Sequence, residues 1–180
     1  MPRLTAEEKK QIKSLEIKEL QNIVTKIASK EKVVYDYLKI NYLDKDSGEE
    51  ELFQSTKEEL EDISWKNFKG RSAQLRNAKS LAASIKRINE FTKVSSNKVM
   101  EADLLIYVLK IHYTDELLGT CFTQFDSKVA SIVKRLLNVV TKKLHEDYRI
   151  EYADTINHYL AILHKNSNHL DTVFNMPDSI

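Results

Sequence analysis

The chain has 180 residues, 42% of them hydrophobic and 31% charged, with a net charge of +1. That balance is too apolar for a disordered chain and too neutral for a global field that would steer nucleic acid or a membrane. Proline occurs only at Pro2 and Pro177 and glycine only at Gly48, Gly70 and Gly119, so little interrupts a helix.

The expectation is an all-α fold, a compact antiparallel array of seven to eight helices around a central buried helix. The length suits a single domain over 1–180, with a polar C-terminal tail from about 166. Thr5 and Glu8 read as a capping box that opens a short charged helix to Lys13. The next helix runs from Leu15 to Ser29, with Ile17, Leu20, Val24 and Ile27 on one face. A third covers Glu31 to Leu43, with Val33, Val34, Tyr37 and Leu38 expected inward.

After a turn through Asp44 and Gly48, Ser47 and Glu50 read as a second capping box. The helix they open runs to Ser64 and lines Leu52, Phe53, Thr56, Leu60 and Ile63 on its buried face. Ser72 caps a helix reaching Phe91, whose stripe is Ala78, Leu81, Ala82, Ile85 and Ile88. Ser95, Ser96 and Asn97 supply the next N-cap. The helix from Lys98 to Leu118 is apolar all round between Leu104 and Leu109, which marks it as the central one. Phe125, Val129, Ile132, Val133, Leu136 and Val140 stripe the helix from Phe122 to Leu144. The last long helix, Tyr148 to His164, presents Tyr152, Ile156, Tyr159, Leu160 and Leu163. Leu170, Val173 and Phe174 form one apolar group in the tail, placed to dock back.

Charge is segregated. Acids dominate from Asp44 to Asp62, and bases from Lys66 to Lys98. On a helical wheel Arg76, Lys79, Lys86 and Arg87 fall opposite the Ala78/Ile85 stripe and are expected to face out, with Arg71 just ahead of them. Lys128, Arg135 and Lys142, spaced by seven, form a second basic stripe. These eight residues are the candidate surface for an anion or a partner. One reading is a nucleic-acid backbone or an acidic protein. The other is an acidic helix packed beside a basic one, and it is preferred because no aromatic side chain interleaves the bases for stacking.

No catalytic spacing emerges. Asp44-x-Asp-x-Gly48 puts glycine at position 5 of the loop and Ser55 at position 12, which fails a calcium loop. The five histidines lack the Glu-x-x-His and His-x-x-x-His spacings of helical metal sites. Glu151, Asp154 and His158 share a helix face opposite the apolar stripe, which reads as an exposed polar face. His112 reads as a hydrogen-bonded core histidine, and the lone Cys121 as a buried thiol. Neither a metal nor a cofactor is expected. The longest apolar run, Leu104 to Leu109, is far short of a membrane span, and the charged N-terminus points to the cytoplasm.

Several segments carry a resemblance: Lys18 to Ile27, Val33 to Leu38, Glu49 to Phe53, Ala78 to Ile85, and Ala102 to Val108. In that order they resemble an uncharacterised bacterial family of small all-helical proteins, a domain-of-unknown-function family. The resemblance implies an all-helical fold and carries no functional residue. The leading expectation is a non-enzymatic cytoplasmic module that presents helix faces to another protein or to itself. A nucleic-acid binder using the basic 66–98 segment is the alternative. A metal- or small-molecule-binding enzyme using His112 or the Glu151/Asp154/His158 face stands third.

Overall fold

The computed structural model describes residues 4–112, 124–167 and 169–180. The fold is all-α, 80% helical, with no strand among the described residues. Length alone pointed to one domain; the chain divides into two compact units, Met1–Gly48 and Glu49–Ile180.

The first unit contains α1 (Ala6–Lys13), α2 (Ile17–Ala28) and α3 (Lys32–Leu38). The capping box on α1 forms: Thr5 Oγ1 accepts the Glu8 amide at 3.2 Å, and the Thr5 amide donates to the Glu8 carboxylate at 2.7 Å. These bonds hold the Glu8 carboxyl below its ordinary range. α2 packs against α3. Its Ile17/Leu20/Val24/Ile27 stripe is a strong amphipathic pattern, yet no residue of α2 is buried.

A single helix was expected from Glu31 to Leu43. Instead α3 widens at Lys39 into a π-helical turn, Lys39–Leu43, closed by the Asp44 amide donating to the Lys39 carbonyl at 2.8 Å. Val33, Val34 and Leu38 are half-buried as expected, but Tyr37 is exposed. Its ring meets Tyr42 edge-on, 6.1 Å between centroids. The Asp44–Gly48 segment is a polar turn, with Asp44 accepting from the Ser47 amide and hydroxyl. The expected Ser47–Glu50 capping box gives way to this arrangement, and Glu50 accepts from Gln54 instead.

α4 (Gly48–Trp65) starts at the boundary and leads into the second unit. There follow α5 (Ala73–Val94), α6 (Lys98–His112), α7 (Gln124–Lys143), α8 (Glu146–Asn166) and the short α9 (Asp171–Phe174). Ser72 Oγ accepts the Leu75 amide at 3.2 Å and caps α5. α6 is buried on nearly every side: Ala102, Leu104, Leu105, Val108 and Leu109 are all fully covered. α7 makes the wider set of packings, against α5, α6, α8 and α9. Every residue of its expected stripe is buried, as is every residue of the α8 stripe. Each fully buried Leu, Ile or Val side chain stabilises the fold by roughly 1.5–3 kcal/mol.

Within the expected Ser95–Asn97 segment it is Asn97 that caps α6, its Oδ1 accepting from the Val99 amide at 3.1 Å and the Met100 amide at 3.2 Å. Asn97→Ala is expected to lower stability by about 1 kcal/mol, read as a lower urea midpoint with an unchanged slope. The tail docks through Val173 and Met176, which are buried, while Phe174 points to solvent. With only one turn in α9, Val173 takes the inward position and its neighbour Phe174 lies on the other side. Gly119 and Cys121 lie outside the described residues.

Candidate functional site

The basic residues expected to form one surface have separate roles. α5 has neighbours on two sides, so it buries more than its apolar stripe. Ala78, Leu81 and Ile88 are buried, Ile85 is half-buried and Ala82 is exposed. Ser80, Ser84, Arg87 and Phe91 are buried as well. These four extend the buried arc toward α4 and α6. Ser80 donates to the Ile63 carbonyl of α4 at 3.2 Å, and Ser84 meets His112 of α6.

Arg87 corrects the expectation of an outward face, because it is only 5% exposed. Its Nε donates to Glu59 Oε2 at 2.7 Å, and its terminal nitrogen donates to Thr56 Oγ1 at 2.9 Å. Thr56 in turn donates to the Leu52 carbonyl at 2.7 Å. A wheel that ranks residues by hydropathy puts arginine outside. Here an acid and a hydroxyl on α4 satisfy its fork, which makes burial tolerable. This ion pair joins the acidic helix to the basic one.

Arg76 and Lys79 hold the preceding loop. Arg76 donates to the Gly70 carbonyl at 3.2 Å, and Lys79 donates to the Lys69 carbonyl at 2.6 Å. Gly70 sits close beneath, where an added Cβ would lie 3.2 Å from the Arg76 backbone nitrogen. Arg71 and Lys86 are exposed.

On α7, Arg135 is also committed. Its guanidinium donates to Glu101 Oε1 at 2.8 and 3.0 Å and to Asn89 Oδ1 at 2.6 Å, tying α7 to α6 and α5. Lys98 donates to the other Glu101 oxygen at 2.7 Å. Burial pushes the Glu101 carboxyl up, but the bonds and charges of Lys98 and Arg135 outweigh it and hold the group below its ordinary value. Glu101 was not singled out from the sequence. Its signal is positional, an acid one turn into the most apolar helix. Lys128 is half-buried beside a groove between α5 and α7 of about 390 Å³, floored by Leu81, Ile85 and Ile132. Lys142 is exposed and lines a separate depression with Met176 and Pro177.

His112 is buried, and its Nε2 lies 3.1 Å from Ser84 Oγ. Burial lowers its pKa to about 4, so the ring is neutral at pH 7. This matches the hydrogen-bonded core histidine read from the sequence. Glu151, Asp154 and His158 are exposed along α8. Among the described residues, no group of three or more His, Cys, Asp or Glu side chains is placed to hold a metal ion. No described helix is long and apolar enough to cross a membrane.

The remaining feature is the apolar face of α2. Ile17 is 74% exposed, Val24 and Ile27 are each 43% exposed, and Ile23 is 42% exposed. A run of β-branched side chains on a capped helix is costly to leave in water, and such faces mark association surfaces. The sequence showed the stripe but gave no means of telling a covered face from an open one. Compared with protein-family models, curated proteins and solved structures, this chain matches none.

Proposed function

We propose that the protein is a non-enzymatic cytoplasmic interaction module that presents a helix face to a protein partner. The observation that carries this reading is the open Ile17/Ile23/Val24/Ile27 face of α2. Recognition of this kind lays an apolar helix face against a complementary groove or helix, with anchors at helical spacing. The nucleic-acid alternative has less to draw on, because Arg87 is buried against Glu59 and Arg135 is bonded to Glu101.

A photo-reactive phenylalanine analogue at Gln21, an exposed position beside the stripe, tests the reading in native cells. The expected result is a covalent protein adduct that disappears when Ile17 and Val24 are both changed to Asp. If no adduct forms, the module reading is wrong.

A further inference from the structure

Resting on that reading, we infer that the partner of the α2 face is a second copy of this chain, docked antiparallel. The stripe has a heptad layout. Ile17 and Val24 occupy one seam position and Leu20 and Ile27 the other, with Ile23 on one edge; Glu16, the N-cap residue, and Lys30, in the turn after the helix, stand at the two ends of that edge. The charges on that edge differ in sign at its two ends, with an apolar residue midway.

An antiparallel copy uses all three edge positions at once. Glu16 of each copy comes beside Lys30 of the other, and Ile23 meets Ile23 near the two-fold axis. In the seam, Ile17 layers with Ile27 of the second copy and Leu20 with Val24. Glu19 and Lys26 repeat the same complementarity farther out. A parallel copy instead sets Glu16 beside Gln21 and Ile23 beside Ala28 of its partner, which leaves Glu16 and Lys30 unpaired across the seam. The charge pattern therefore selects one orientation, and a two-fold arrangement closes at two copies.

The size of the surface sets the strength. α2 has 12 residues, so it is about 18 Å long. Alone it covers less than the roughly 800 Å² per partner of a standard interface. The dimer is therefore weak and depends on concentration.

Sedimentation equilibrium of the full chain over a dilution series is the first test. The expected result is a reversible monomer–dimer equilibrium that Ile17→Asp weakens by roughly tenfold or more. Because Ile17 is exposed, circular dichroism should show this variant still folded. Lys30→Glu alone also weakens the dimer, and Lys30→Glu combined with Glu16→Lys restores it. Orientation is read by oxidative cross-linking in a Cys121→Ser background. Ile23→Cys links two chains, whereas Ile17→Cys does not, because its two copies lie about 16 Å apart along the pair. Cross-linking at Ile17→Cys indicates a parallel pair and overturns the orientation. A chain that stays monomeric at every concentration overturns the second copy as partner. In that case a photo-adduct with a different protein keeps the module reading standing, and no adduct at all removes both.

Discussion

Arg87→Ala is expected to cost about 3 kcal/mol, the low end for removing one member of a buried ion pair. The low end applies because Glu59 keeps about a third of its side chain in solvent, at 34% exposure. The loss has three parts. Glu59 keeps its charge without its 2.7 Å partner, Thr56 loses a donor, and the apolar stem of the arginine leaves a void between α4 and α5. Lys86→Ala, on the exposed neighbour, should change stability by no more than about 0.5 kcal/mol. The contrast between adjacent cations is the readout, measured by urea unfolding. Equal effects at the two positions would mean that Arg87 is not buried against α4. Replacing the pair together, as Arg87→Met with Glu59→Leu, should recover part of the loss because no unpaired charge is left behind.

The second large effect is acid destabilisation through His112. Its folded pKa is about 4, against an ordinary value of 6.5. Between these values the unfolded chain binds a proton that the folded chain refuses. Stability is therefore full above pH 6.5, falls as the pH drops toward 4, and then levels off. The total amounts to about 3 kcal/mol, from a shift of about 2.5 pH units at 1.36 kcal/mol each. His112→Gln should flatten this window while keeping a polar group beside Ser84. An unchanged slope between pH 6.5 and 4 in that variant would refute the assignment. Glu101 acts in a separate range. Its carboxyl is held below the ordinary 4.5, so its contribution is intact above that value and disappears only as the pH falls further. The two groups can be told apart by the pH at which each variant departs from the parent.

How much of this was legible in the sequence depended on what each side chain meets. α7 and α8 could be read directly, because their apolar stripes face the interior, although the buried Asp126 of α7 falls outside that pattern. The caps at Thr5, Ser72 and Asn97 could also be read, since they are local to four residues. Arg87 could not, because its burial depends on Glu59 and Thr56, 28 and 31 residues away. Ser84 and His112 are likewise 28 residues apart, so the bond that satisfies both is invisible to periodicity. The π-helical turn at Lys39 escaped for a different reason, because no single residue marks the change from one helical pitch to another. The open face of α2 was legible as a pattern and illegible as a surface, since hydropathy records what a helix wants covered and not whether it is.

The placement of α7 has a dynamic consequence. Since α5, α6, α8 and α9 all rest on it, none of them can detach without exposing apolar surface on that shared neighbour. Backbone amides in the middle of α7 should therefore exchange with solvent only when the whole second unit opens, and at the slowest rates in the chain. α1 sits at the other extreme. It buries no residue, so it opens and closes at the cost of its own caps and turns alone.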